Sequence, residues 1–158
     1  MSLKTLKHTI FIIIIIIIFF SCNKITQEEY YSFPQSGWNS DSSVTFQYFI
    51  LDTTKTYDMS LKIRHTVEYE FRNLFVFLES TKKDTIEIIL ANKKGKWLGK
   101  GISDLRELEY VLEIDRRFLK SGEHSLKVEQ AMRYGGAERI ENLKHILDLG
   151  LIISENNE

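Results

Sequence analysis

Cysteine and proline are almost missing from this chain, whose 158 residues include one of each. A single cysteine cannot form a disulfide framework within the chain. The four histidines stand at no metal-ligand spacing from one another or from the cysteine, and the acidic residues show no calcium-loop spacing. We therefore expect a fold stabilised by packing alone, with no metal and no cofactor.

Charge of neither sign is in clear excess, since 21 lysines and arginines stand against 22 aspartates and glutamates. Binding to the phosphates of nucleic acid needs a cationic surplus on some face of the protein. The sequence therefore indicates no nucleic-acid partner.

Motifs of catalysis are also missing. The chain has no Gly-x-Ser-x-Gly elbow, and the glycine-rich stretch 95–101 has three residues between its first two glycines, where a phosphate-binding loop needs four. Trp97 is surrounded in sequence by four lysines, at 93, 94, 96 and 100, which would suit an anionic head group or a glycan. A solvated turn followed by a tryptophan in the core is the simpler interpretation. We expect no catalytic residues and predict that the protein is not an enzyme.

The one long hydrophobic run, residues 10–20, is too short to cross a membrane, which takes roughly 20 apolar residues. A basic segment precedes it, and Ser21 and Cys22 follow it, which is the order of a bacterial lipoprotein signal. We predict a signal peptide over 1–21, cleavage before Cys22 and acylation of Cys22 by palmitate-type chains that hold the protein in a membrane. A secreted protein and an uncleaved anchor are the alternatives.

The mature chain divides into two parts. Residues 22–36 are polar, contain Pro34 and show no apolar period, so they predict a tether, although Tyr30 and Tyr31 suggest that part of it packs. Residues 37–158 predict a single domain. Asn23 is not the aspartate that favours inner-membrane retention in some bacteria, and we expect a lipid-anchored location in the cell envelope, at the outer membrane.

Alternation of apolar and polar residues dominates the predicted domain. It is clearest at 57–64 and also marks strands near 44–50 and 125–132. Residues 74–79 are apolar on both faces, as in a central strand covered on both sides, and 86–90 repeat that character. The segment 105–118 fits a helix or a strand, and the even spacing of turns favours the strand. A short helical turn is predicted at 140–147, and 149–153 should close the sheet.

Together these segments predict an all-β domain: an antiparallel β-sandwich of about seven to nine strands, immunoglobulin-like or jelly-roll-like.

Several short motifs run along the mature chain. The most specific are Trp-Leu-Gly-x-Gly at 97–101 and Gln-Ala-Met-Arg at 130–133. The others are Gly37-Trp38 with Val44-Thr45-Phe46, Asp52-Thr53-Thr54 through Tyr57, Arg64 and Tyr69 leading to Asn73-Leu74, and the stretch 146–151. These motifs resemble those of the GldH-type gliding-motility lipoproteins of Bacteroidetes, and Cys22 stands where that family has its lipidated cysteine.

The resemblance implies a lipid-anchored, non-catalytic component needed for gliding, with a structural or assembly role among gliding-motility or secretion proteins of the envelope. Cys22 is the only residue to which the resemblance assigns a functional role, that of the lipidated cysteine. Trp97 and Arg133 become candidates for contact with a partner protein. The alternation places Gln130 and Met132 on the inward face of a strand, where packing is the simpler role.

Two other functions stay open. A surface glycan-binding module would use Trp38, Trp97 and the tyrosines, and a lipoprotein hydrolase would depend on a carboxylate or serine that the sequence does not single out.

Overall fold

A computed structural model describes residues 26–156, so the signal peptide and Cys22 lie outside the described residues. The described part contains ten strands and no helix, and so no helix long and apolar enough to cross a membrane. The strands are β1 (Thr26–Ser32), β2 (Trp38–Asn39), β3 (Ser43–Ile50), β4 (Thr56–Thr66), β5 (Asn73–Glu79), β6 (Lys83–Ile89), β7 (Leu105–Arg116), β8 (Gly122–Gln130), β9 (Asn142–Leu143) and β10 (Ile146–Asn156).

Two four-stranded antiparallel sheets form the domain. The first has the order β1-β10-β4-β7 and the second β3-β8-β5-β6, while β2 and β9 form a small ribbon. Buried side chains from both sheets make one hydrophobic cluster between them. The prediction of an all-β sandwich is therefore confirmed, and the strand count exceeds it only through the two-residue strands β2 and β9.

The predicted alternation is visible in the burial of the strands. In β3 every second side chain from Val44 to Ile50 is buried, and the residues between them are exposed. In β4 the side chains of Tyr57, Met59, Leu61 and Ile63 are likewise buried. This pattern arises because successive side chains of a strand point to opposite faces of the sheet. Within the ambiguous segment 105–118, residues Leu105–Arg116 form the edge strand β7, which confirms the strand prediction.

Three expectations need correction. The predicted helical turn at 140–147 is wrong, because Leu143 and Ile146 are buried and belong to β9 and β10. Strand β10 does not close its sheet but lies inside it, between β1 and β4. Strand β5 is internal as predicted, yet only one face is covered, since Leu74 and Val76 are buried while Phe75 and Phe77 are half-buried.

The tether prediction is wrong for Thr26–Ser32, which form β1 and pair with β10 along their whole length. Their side chains show no apolar period because β1 is an edge strand with little to bury. The side chains of Gln27 and Glu29 instead reach β3, the edge of the other sheet. The Gln27 amide bonds to the backbone N–H and C=O of Phe49, and Glu29 accepts the N–H of Gln47 at 2.7 Å. Two open edges are thus covered by each other.

Candidate partner-binding surface

The side chain of Trp97 packs mainly against other residues of this chain. Its half-buried ring packs 4.6 Å from the ring of His65 and 6.5 Å from that of Tyr69, measured between centroids. Its backbone forms a β-bridge with Ala91, just after β6. These contacts favour the interpretation of Trp97 as part of the core over its display to a partner.

The glycines after Trp97 are explained by close approach to β7. Lys100 forms a β-bridge with Glu107, and Gly99 and Gly101 flank it. A Cβ added at Gly99 would lie 2.2 Å from the carbonyl oxygen of Glu107, and one at Gly101 would lie 2.0 Å from that of Leu105. The Trp-Leu-Gly-x-Gly motif therefore ties the end of the second sheet to the edge of the first.

His65, beside Trp97, is completely buried. Its Nδ1 lies 2.9 Å from the carbonyl oxygen of Thr66, so Nδ1 carries the proton and donates it. Its Nε2 has no hydrogen-bond partner among the described residues. Burial lowers the pKa of His65, and the Arg106 charge adds to this effect, so the imidazole is neutral in the folded protein.

The lowered pKa predicts a pH-dependent stability. Because the unfolded chain binds this proton more readily, the free energy of unfolding should fall as the pH is lowered from 7.5 to 5.5. His65→Asn keeps a side-chain N–H donor but removes the titration, so urea unfolding of this variant should show a smaller loss over the same interval. Equal losses in the two proteins would exclude His65 as the cause.

Arg133 lies on the outer face of the second sheet, just beyond β8. Its neighbours in two adjoining grooves include Phe75 and Phe77 of β5, Ala131, and Thr85 of β6. We call these five residues the Arg133 surface. It exists because β5 has apolar side chains on both of its faces, and no described element covers the outer one.

The backbone just before Arg133 is held by hydrogen bonds of the Gln130 side chain. The Gln130 side chain donates to the carbonyl oxygen of Ile140 at 2.6 Å and accepts the N–H of Met132 at 2.9 Å. Both Gln130 and Met132 are buried, as the alternation predicted. Arg133, the next residue, points to the outer face of the sheet, opposite to Gln130 and Met132, and is exposed.

The guanidinium of Arg133 is not paired with any nearby acidic side chain of residues 26–156 and can bind a partner. Among residues 26–156 it has no hydrogen bond or ion pair, whereas Arg139, across a groove of about 480 Å³, is paired with Asp41. The Lys83 ammonium lies 4.7 Å from the centre of the Phe77 ring. An unpaired arginine beside half-exposed aromatic rings is typical of the residues that contribute most to protein interfaces.

The two predicted contact residues lie at the same end of the sandwich but do not form one surface. A series of ring contacts connects them: Trp97 to Tyr69, Tyr69 to Phe71 at 5.7 Å, and Phe71 to Tyr134 at 5.6 Å. Tyr134 adjoins Arg133 in the chain. Only the Arg133 end of this series is exposed to a partner. Sequence reasoning missed Phe75 and Phe77, whose exposure depends on which strands cover β5.

No group of three or more His, Cys, Asp or Glu side chains in 26–156 is placed to hold a metal ion. The sequence model of the GldH lipoprotein family matches residues 25–153, which is most of the chain. The chain belongs to the GldH lipoprotein family. The resemblance noted in its motifs is thereby confirmed.

Two GldH relatives match this chain over almost the whole length of both proteins. The gliding motility lipoprotein GldH homolog of Christiangramia forsetii is 34% identical over 150 residues, covering 90% of this chain and 91% of the relative. Gliding motility lipoprotein GldH of Flavobacterium johnsoniae is 33% identical over 159 residues, covering 96% and 99%. The protein is therefore a gliding motility lipoprotein with a lipid-anchored place in the cell envelope.

Solved structures give no further guidance. A crystal structure of the exo-β-1,3-galactanase of Phanerochaete chrysosporium is 13% identical with a TM-score of 0.38, and the match covers 84% of this chain but 29% of that one. Nothing is carried over from a likeness of this size.

The family motifs now have structural explanations. Trp97, Gly99 and Gly101 join the sheets, and Gln130 and Met132 fix the strand end. Gly37 has a φ of 100° and lies against the Leu143 carbonyl, where a side chain has no room. Arg133, an exposed residue of the Gln-Ala-Met-Arg motif, has no such role inside the described chain.

Proposed function

We propose that this GldH-family lipoprotein is a non-catalytic assembly component of the gliding and secretion machinery, anchored in the outer membrane through acylated Cys22. Its β-sandwich binds other envelope proteins through the Arg133 surface. The observation that carries the proposal is the unpaired guanidinium of Arg133 beside Phe75 and Phe77 on an uncovered sheet face.

A non-catalytic role is supported by the chemistry of the larger groove at Arg133. The one hydroxyl lining this groove, Ser40 Oγ, has no hydrogen-bond partner among the described residues, so no base there is placed to accept its proton. Glu129, also in the groove, is engaged by Lys127 at 2.7 Å. The groove offers charge and apolar area for binding but no activated nucleophile.

The position of the surface also supports partner binding. Arg133 lies three residues beyond the end of β8 at Gln130. The chain from Cys22 instead enters β1 at Thr26, beside Gln27, which bonds to Phe49 of β3, and Phe49 pairs with Glu123 near the start of β8. The 11 residues of β4 give the sandwich a length on the order of 35 Å at about 3.3 Å per residue. The Arg133 surface thus faces away from the anchored end, where other envelope proteins can reach it.

Photo-crosslinking in cells tests this proposal. A photoreactive phenylalanine analogue at position 133 should form adducts with discrete envelope proteins. The same analogue at Thr45, an exposed position on the outer face of β3 in the same sheet, serves as the matched control and should form few. Adducts no stronger from position 133 than from position 45 would contradict a partner site at Arg133.

Trp38, one of the residues that suggested glycan binding, is not accessible to a glycan. Trp38 is completely buried, stacks on Phe33 at 4.5 Å between centroids and donates its indole N–H to the Ser42 carbonyl at 3.1 Å. Its ring therefore cannot stack on a sugar.

A further inference from the structure

The distance between the lipid anchor and the folded domain is short. Thr26, the first residue of β1, is the fourth residue after Cys22. Four residues span at most about 14 Å when fully extended. With β1 paired to β10 along its length, the domain cannot stand clear of the bilayer as a longer tether would allow.

The end of the sandwich at Thr26 is defined by strand pairing. Thr26 pairs with Ser154 near the end of β10, and the last residue of β10, Asn156, pairs with Thr56 at the start of β4. The loops at this end include residues 51–55, between β3 and β4, and residues 117–121, between β7 and β8. We call this the anchor end.

Each of these loops exposes a leucine. Leu51 is 69% exposed and Leu119 is 98% exposed. Single exposed aliphatic side chains are common on protein surfaces, and Ile102 is 86% exposed elsewhere on this one. Leu51 and Leu119 differ because both lie at the end to which the chain from Cys22 leads, on loops that border the paired residues Ile50 and Gly122.

The leucines are displayed by ordered loops. Phe118, next to Leu119, is buried against Tyr48 and Tyr57, and His124 bonds through Nε2 to the Lys120 carbonyl at 2.9 Å. These contacts fix the loop and leave Leu119 pointing away from the core.

The 51–55 loop is held in a similar way. The Tyr57 hydroxyl donates to the Asp52 carbonyl at 2.9 Å, and the Asp52 carboxylate accepts the N–H of Thr54 at 2.8 Å. Leu51 is therefore presented by a fixed turn.

Charge at the anchor end is mixed and compatible with head groups. The 117–121 loop contains Arg117 and Lys120 and no acidic residue, while Asp115 and Glu123 border it. Leucine beside lysine or arginine is the composition of segments that lie in a membrane interface, with apolar groups at the acyl boundary and cations among the phosphates. The leucines, more than net charge, carry the inference.

We propose that the anchor end rests on the bilayer, with Leu51 and Leu119 inserted in the lipid interface. This inference rests on the proposed acylation of Cys22 and deepens it, because it gives the lipoprotein a fixed orientation with the Arg133 surface directed away from the membrane. It does not depend on whether Arg133 binds a partner.

Fluorescence quenching by brominated lipid tests the orientation. The acylated protein is reconstituted into vesicles of phosphatidylethanolamine and phosphatidylglycerol, with or without bromine on the acyl chains. Leu119→Trp should add an emission that is shifted to the blue and loses most of its intensity with brominated lipid. The matched control is Tyr134→Trp, at the opposite end and 72% exposed, whose added emission should keep its intensity. Both positions are exposed, so neither substitution disturbs the core.

The outcomes separate the inference from the anchor on which it rests. Acylated, vesicle-bound protein with equally unquenched tryptophans at 119 and 134 would overturn the orientation and leave the anchor standing. Protein whose mass shows no acyl groups on Cys22 would overturn the anchor and the orientation together.

Discussion

Gly99→Ala should lower the free energy of unfolding by about 3 kcal/mol or more, because it adds two separate costs. The new Cβ would lie 2.2 Å from the Glu107 carbonyl oxygen, and overpacking of this kind costs roughly 1–3 kcal/mol. Gly99 also has a φ of 80°, a left-handed conformation that costs another 1–2 kcal/mol or so for a residue with a side chain. Relief of the clash would break the bridge between Lys100 and Glu107.

Urea unfolding measures this effect, and Gly136→Ala is the matched control. Gly136 has no atom within 4 Å of an added Cβ, so its substitution should change stability by no more than about 0.5 kcal/mol. Equal stabilities for the two variants would refute the role assigned here to the Trp-Leu-Gly-x-Gly motif.

Cys22→Ala should abolish lipid attachment completely, because the acyl chains of a lipoprotein are bound to the cysteine sulfur and cleavage follows their addition. We expect the uncleaved precursor to accumulate without incorporated fatty acid. Labelling cells with a palmitate analogue and comparing gel mobility measures both effects. Asn23→Ala, which changes the next residue and keeps the thiol, should be labelled and cleaved normally. A Cys22→Ala protein that was still processed and retained in the membrane would show that the anchor lies elsewhere.

The parts of the fold that the sequence predicted are those governed by local alternation. Strands β3 and β4 each bury one face against the core, so their apolar residues recur at every second position. The place of β10 inside its sheet could not be predicted in this way, because pairing between distant strands leaves no local period. β1 escaped prediction because an edge strand whose inward side chains are Gln27 and Glu29 has no apolar alternation.

The candidate site was predictable only in part. Arg133 was named as a candidate through its family motif, whereas the apolar residues on both faces of β5 predicted that Phe75 and Phe77 belong to the core. The family resemblance also made Trp97 a candidate, although a core position was the simpler interpretation of its sequence, and the structure shows its ring packed on His65. Leu119 gave no signal at all, since an exposed leucine next to a buried phenylalanine has the same sequence as two core residues.

Together, the two proposals give the lipoprotein two functional ends: one that rests on the membrane and one, at the Arg133 surface, that binds other envelope proteins. Arg133→Glu reverses the charge of an exposed side chain without touching the core, so the protein should fold, accumulate and remain anchored normally.

Gliding of the source bacterium, with its own copy replaced by this variant, is the most direct measurement of the central claim. Cells expressing Arg133→Glu should lose most of their gliding, while cells expressing Thr45→Glu, the same charge at an exposed position elsewhere on this sheet face, should glide as before. Gliding of the Arg133→Glu cells at the unaltered rate, with normal protein levels, would contradict the claim that this surface connects the lipoprotein to the motility machinery.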